Sequence, residues 1–203
     1  MEFYDWQSIF PELDRIDLKT LRDELNDDGW QDWPERTLYD QTPDSEWKVI
    51  PFCATFPGND PSMTQWNQSA VRRFPKTVAM IKQIPGLRTA GFSRLGPMTA
   101  LKYHRGWASL SNHVLRCHLP VKVPEGEILC GVIVNDKFQF HREGEWIVFD
   151  DSKQHKAFNF HPSEDRIVLL LDIQRPSTVP SGTSNVGMTC ELNAFLQEPQ
   201  MLE

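Results

Sequence analysis

Between residues 87 and 176 the chain breaks into short strand-like segments, one directly after another: LRTAGFSRLGP, TALKYHRG, HVLRCHLPVKVP, EILCGVIV, KFQFHRE, EWIVFDDS, HKAFNFHP and RIVLLLDIQRP. Each is bounded by Gly, Pro, Asn-Asp or charged turn residues. About eight strands in roughly 90 residues, with no helical pattern between them, predict an antiparallel sandwich or a jelly-roll barrel rather than a βαβ sheet. Within this run VIVNDKFQF reads as a hairpin with Asn135-Asp136 at its turn.

The residues before position 87 have a different period. FPELDRIDLKTLRDELND spaces Leu13, Ile16, Leu21 and Leu25 as an amphipathic helix would. A Trp-rich irregular stretch leads to a strand near Trp47–Phe52, and FPGNDPSM reads as a loop. TQWNQSAVRRFPKTVAMIKQIPG reads as helix, with Pro75 at a first-turn position and Pro85-Gly86 as the stop. After Pro176, STVPSGTSNVGMT has the composition of a flexible linker, and CELNAFLQE that of a short helix. The predicted organisation is one domain. A helical and irregular segment (1–86) packs on a mainly β core (87–176), followed by a linker and short C-terminal helix (177–203).

With 203 residues, 39% of them hydrophobic, the chain can bury one substantial core. A formal net charge of −7 argues against a general nucleic-acid or membrane-surface binder. Cys53, Cys117, Cys130 and Cys190 are scattered, the start lacks signal-peptide character, and no apolar run has transmembrane length. The expectation is a soluble protein of a reducing, cytoplasmic compartment. Its expected partner is a small-molecule or peptide substrate, with no nucleic acid and no membrane.

Jelly-roll interiors are lined at alternate strand positions, and neutral imidazoles on facing strands suit iron, zinc or copper. His104 ends the alternating stretch ALKYH, and His155 opens a strand after an acidic turn. Either is equally an ordinary hydrogen-bonded histidine on this pattern alone. Arg166 opens the most apolar strand of the chain, where a guanidinium is costly unless an anion meets it or Asp165 and Glu164 hold it at the surface. Arg116 and His118, two apart, share one strand face, with Leu115, Cys117 and Leu119 on the other. That face suits either a carboxylate ligand or solvent.

Taken together, FSRLGPMTALKYHRG, VLRCHLPVKVPEG, GEWIVFDDSKQHKAFN and DRIVLLLDIQRP resemble the aspartyl/asparaginyl β-hydroxylase family of iron(II)- and 2-oxoglutarate-dependent oxygenases. The resemblance covers roughly residues 70–176 and weakens toward residue 47. It implies a double-stranded β-helix (jelly-roll, cupin-like) core with flanking N-terminal helices. It implies Fe(II), 2-oxoglutarate and O2 as the reaction partners, and His104 and His155 as the iron ligands. It further implies Arg166 and Ser93 on the distal carboxylate of 2-oxoglutarate, and Arg116 and His118 reaching the cosubstrate. The iron triad of two histidines and a carboxylate, HxD…H, has Gly106 in place of its acid here, as the resembled family does. That leaves a coordination position to water.

The implied reaction is hydroxylation of an unactivated C–H bond, on the β-carbon of an Asp/Asn-like residue or a small-molecule analogue. Two alternatives carry other expectations. One is a jelly-roll that binds metal or carboxylate without turnover. The other is a 2-oxoglutarate-dependent halogenase, in which chloride fills the vacancy of an HxG pattern. Asp150 and Asp151 are assigned to the turn and to outer hydrogen bonds of His155. RGWASLSNHVL, between His104 and Arg116, is longer than the family's usual connection. Its insertion, Trp107–Asn112, is where substrate access is expected to be shaped, and His113 beside it reads as an ordinary loop residue.

Overall fold

The computed structural model describes residues 1–39, 45–126 and 129–196. In chain order the strands are β1 (Phe3–Tyr4), β2 (Gln31–Asp32), β3 (Trp47–Thr55), β4 (Thr64–Trp66), β5 (Leu87–Leu95), β6 (Thr99–Ala100), β7 (Val114–Lys122), β8 (Cys130–Val134), β9 (Lys137–Phe140), β10 (Ile147–Phe149), β11 (His155–Asn159) and β12 (Arg166–Gln174). The helices are α1 (Trp6–Ile9), α2 (Leu18–Glu24), α3 (Gln68–Arg73), α4 (Pro75–Ile81), α5 (Ala108–Ser111) and α6 (Cys190–Leu196). All eight strand-like segments of the sequence carry a strand, and Asn135 takes positive φ at the β8–β9 turn.

The strands form two antiparallel sheets. The larger runs β1-β10-β7-β12-β5-β3-β2, with β4 on β3, and the smaller runs β6-β11-β8-β9. Val132 and Val134 of the small sheet pack on Ile147 and Phe149 of the large one, which closes the jelly roll. β12 lies between β7 and β5, buried on both faces, and this is why RIVLLLDIQ reads as almost continuously apolar. Its alternation sorts the molecule into two compartments. Ile167, Leu169, Leu171 and Ile173 share a core with Leu115, Cys117 and Leu119 and with Leu13, Leu21, Phe74, Val78 and Ile81 of the helical layer. Arg166, Val168, Leu170 and Asp172 point the other way, into the roll.

The N-terminal segment is not the single helix its spacing predicts. Pro11–Arg15 is a 3-10 turn, Ile16 and Asp17 are extended, and α2 starts afresh with Asp17 accepting from the Thr20 amide at 2.8 Å. Leu13, Ile16 and Leu21 are buried all the same. The second predicted helix also divides, because Phe74 precedes a proline and leaves the helical region. Glu24 reaches across from α2 to accept from the Lys76 and Thr77 amides, at 2.9 and 2.8 Å, capping α4 in place of a local side chain.

Residues 177–189 contain no helix or regular strand, in keeping with their composition, yet they are tied down. Gly182 and Ser184 bond to Asn112, Thr183 to Ser152 Oγ, and Ser184 Oγ to the Gly106 carbonyl. The Ala108 amide donates to the Val186 carbonyl at 2.7 Å. The backbone of this linker-like stretch, together with the Ser184 hydroxyl, supplies hydrogen-bonding groups to a neighbouring loop. Of the predicted terminal helix, residues 190–196 are helical and residues 197–198 lie outside the described residues, as do Glu127 and Ile128 of the β8 segment. No described helix is long and apolar enough to cross a membrane.

Asn159 staples the two sheets. Fully buried, its amide donates toward the carbonyls of Leu95, Gly96 and Glu164 at 3.0, 2.9 and 2.8 Å. Asn159→Ala leaves those carbonyls without their partner and is expected to cost about 2 kcal/mol or more, read from the urea midpoint at constant m-value. An unchanged midpoint would count against the staple.

Candidate active site

His104 and His155 meet across an antiparallel bridge. Each backbone amide donates to the other's carbonyl, and the ring centroids stand 4.3 Å apart. Each Nδ1 lies on the carbonyl two residues upstream, Lys102 for His104 (2.8 Å) and Lys153 for His155 (2.9 Å). A carbonyl can only accept, so both Nδ1 atoms carry the proton and both Nε2 atoms offer lone pairs. Burial, then the neighbouring His155 ring, pushes His104 down to about 3; burial pushes His155 down to about 4. Both are neutral imidazoles at ordinary pH, the form that binds a metal.

A carboxylate shares the place. Asp151 Oδ1 lies 3.2 Å from His155 Nε2 and 2.6 Å from an Arg116 amino nitrogen, and neither Asp151 oxygen has hydrogen-bond geometry to a described residue. A lone-pair nitrogen facing a carboxylate oxygen is repulsive unless a cation joins them. Asp150 and Asp151 were expected in the turn and in outer hydrogen bonds of His155, and the structure gives them different places. Asp150 forms the turn, accepting from the Ser152 amide and hydroxyl at 3.1 and 2.6 Å and pairing with Arg175. Asp151 faces the inner nitrogen, because the backbone carbonyl of Lys153 already occupies the outer one. Gly106 makes room for it: a Cβ at 106 would stand 1.8 Å from Asp151 Oδ2.

Deeper in the roll, the Arg116 fork closes on Asp172, with Nε and Nη2 at 2.8 and 2.9 Å from its two oxygens. Burial pushes Asp172 up while the fork holds against it. Arg166 has no such partner. It is 1% exposed, and among the described residues its one bond runs to the Ser93 carbonyl at 3.4 Å and its Nε has none. Asp165, the surface partner the sequence allowed for it, lies against Arg94 instead. Around Arg166 stand groups of the same sign or none. Ser93 Oγ accepts from Trp47 Nε1 at 3.1 Å, and His118 Nδ1 sits 3.4 Å from His141 Nε2. His141 Nδ1 is buried without a partner.

The expected residues therefore fall in two neighbouring sets. His104, His155 and Arg116 gather with Asp151 and Asp172, while Arg166, Ser93 and His118 gather with His141. His113 stands apart, its carbonyl accepting from the Arg175 amide. Three acidic or basic participants were not singled out for this site. Asp172 was legible, since period two from Arg166 puts it on the interior face. His141 follows directly after β9 with no pattern to mark it. Glu35 lies in an irregular stretch, and its oxygens accept from Trp33 Nε1 (3.3 Å), Trp107 Nε1 (3.2 Å) and Thr189 Oγ1 (2.9 Å).

Comparison with known proteins bears on this geometry. The family described as Aspartyl/Asparaginyl beta-hydroxylase matches residues 5–176. An ornithine lipid ester-linked acyl 2-hydroxylase of Rhizobium tropici is 36% identical over 57% of this chain and 40% of its own length. The mouse aspartate beta-hydroxylase domain-containing protein 2 is 29% identical over 71% of this chain, again 40% of its own length. The chain thus spans well under half the length of these relatives. Among solved structures, an oxidoreductase of the 2OG-Fe(II) oxygenase family from Burkholderia pseudomallei superposes with a TM-score of 0.53 at 11% identity, over 83% of this chain and 82% of that one. At that identity the likeness is one of fold.

The His118–His141 pair has a pH signature. Burial holds both well below the ordinary histidine value of 6.5, with Arg166 adding to the effect on each. Below that value the unfolded chain binds protons that the folded one refuses, so stability is full above it and falls as pH drops. Denaturant midpoints measured from about pH 7 to about pH 5 are expected to decline, and His141→Phe to flatten the decline. An equal slope in the variant would refute the assignment.

Proposed function

Because the chain belongs to the aspartyl/asparaginyl β-hydroxylase family, we propose that it is an iron(II)- and 2-oxoglutarate-dependent dioxygenase that hydroxylates an unactivated C–H bond. The observation that carries this reading is the contact of His155 Nε2 with Asp151 at 3.2 Å, a neutral imidazole's lone pair beside a buried carboxylate, which a bound cation would join. Two neutral imidazoles with both outer nitrogens fixed suit such an ion. The unpaired guanidinium of Arg166 suits a dicarboxylate, with His118, His141 and the Ser93 hydroxyl beside it.

The charges balance. Arg116, Asp151 and Asp172 leave the site one negative charge, and Arg166 adds one positive. These protein charges already cancel, and a divalent cation with a doubly negative cosubstrate leaves the sum at zero. Bound iron with 2-oxoglutarate and O2 supplies the oxidation: one oxygen atom enters the substrate C–H bond, and the other leaves in succinate with release of carbon dioxide. The protein's part is to position. The carbonyls of Lys102 and Lys153 aim the imidazoles, the Arg116 fork fixes Asp151 and Asp172, and Arg166 anchors the far end of the cosubstrate.

Asp151 also separates hydroxylation from halogenation. A buried carboxylate fills the space beside Gly106 in which a chloride would have to sit, and like charges repel there. The family name offers the β-carbon of an Asp/Asn-like residue as the site of oxidation. The name of the Rhizobium relative offers a carbon of an acyl chain. Three of the four cysteines are buried and all four are free, which agrees with work in a reducing, cytoplasmic compartment.

His155→Ala is expected to abolish succinate production in the presence of iron and ascorbate, and undiminished turnover in that variant would sink the reading. Arg166→Leu is expected to raise the KM for 2-oxoglutarate about a hundredfold, the worth of a buried charge-assisted pair, with the protein still folded. An unaltered KM would remove Arg166 from the cosubstrate.

A further inference from the structure

A cavity of about 280 Å³ opens over His104, Gly106, Asp151 and Arg116, at the lower end of the size range of small-molecule pockets. Besides residues of β3, β5, β7 and β12, three distant parts of the chain wall it. Trp33 comes from the irregular N-terminal stretch, Trp107 and Leu110 from the insertion after His104, and Val186, Leu192 and Phe195 from the C-terminal segment. Trp33 stacks between Trp47 (4.5 Å) and Trp107 (5.9 Å), and Phe195 tilts against it at 6.4 Å.

The charges within reach of this cavity are already committed. Glu35 accepts from two indoles and a threonine. Arg116 is held by Asp172 and Asp151. Arg105, the remaining cation of the lining, is exposed and donates to the Ser152 carbonyl at 3.2 Å. Among the described lining residues the buried Thr89 hydroxyl is left unpaired, but it carries no charge, so a carboxylate brought inside would lose its water with no free cation to replace it, a cost of several kcal/mol on transfer scales. A hydrocarbon group loses nothing on entry and gains contact with four aromatic rings.

We propose that this chamber takes an apolar substrate group, a hydrocarbon chain or ring, and presents one of its C–H bonds to the His104–His155 pair, with any charged end of the substrate outside near Arg105. The proposal rests on the hydroxylase reading and narrows its substrate. The insertion and the C-terminal segment become the specificity elements: Val186 accepts from the Ala108 amide, and Thr189 binds the same glutamate as Trp107, so neither wall stands without the other.

The test uses the full chain loaded with manganese(II) and 2-oxoglutarate. Octanoylglycine and phenylpropanoylglycine serve as chain and ring probes, and a short peptide with a central Asp or Asn as the polar one. Calorimetric titration is expected to show saturable binding of one or both apolar probes. Phe195→Asp should weaken it about tenfold or more, and Phe138→Asp, on the exposed face of β9, should leave it unchanged. With iron(II) and O2, mass spectrometry is expected to find one added oxygen on the hydrocarbon part of the bound probe. Hydroxylation of the peptide with no binding of either apolar probe overturns the proposal and leaves the hydroxylase reading standing. Equal binding by wild type and Phe195→Asp also overturns it. Failure of 2-oxoglutarate to bind with manganese(II), with apolar binding intact, instead refutes the hydroxylase reading and keeps the chamber.

Discussion

The grip of Arg116 on two buried carboxylates holds the centre of this molecule together. Asp172 comes from β12, Arg116 from β7, and Asp151 from the turn between β10 and β11. One guanidinium therefore joins the middle of the large sheet to the turn that delivers His155. Remove it, and two acids are left facing each other in a space closed to water, which is why such a cluster is costly to break from one side. Keep it, and Asp151 is locked against the imidazole nitrogen that has no other partner. The geometry of the histidine pair thus depends on a charge arrangement one layer below it.

The two faces of β12 divide the work. The outer face belongs to a dry core shared with α2, α3 and α4. The inner face carries Arg166 at one end and Asp172 at the other, so the strand that looks most like filler in the sequence supports both halves of the site. Burying these charges is possible because each has, or is built to receive, an opposite charge. Arg166, with no carboxylate partner among the described residues, and the unpaired Nδ1 of His141 lie in the half proposed to take the cosubstrate.

Above the site the architecture changes from regular to irregular. The walls of the apolar cavity come partly from residues near 33, 107 and 190, outside the jelly roll's strands, and partly from β3 and β5, through Val49, Cys53, Ala90 and Phe92. Glu35 ties them together through Trp33, Trp107 and Thr189. Such a cover can change its residues without disturbing the strands that carry His155 and Arg166, and loops on a rigid scaffold are where enzymes of one fold come to differ.

The strands, their turns and the pairing of Arg116 with His118 on one face were legible in the sequence, because period two is a local property that burial of one face enforces. The N-terminal helices were legible as apolar spacing but not as boundaries, since Asp17 and Pro75 restart the helix by capping and sterics that a periodic pattern does not register. His104, His155 and Arg166 were candidates from strand position and resemblance. Their meeting across the interior was not, because the contacts join residues about fifty or more positions apart. Nor was the role of Asp151 legible: which nitrogen of His155 it faces depends on the Lys153 carbonyl having taken the other. The linker-like tail reads as free chain because its small polar residues carry no apolar signal, and only the docked loop supplies their partners. The sequence by itself determined an antiparallel sandwich or jelly roll and the chemical types available inside it, since alternation and composition act locally. The tertiary structure alone decided which charges cancel, which guanidinium is left over, and that the space above the histidines is lined by aromatic rings, since these depend on distances between strands and loops that no local pattern encodes.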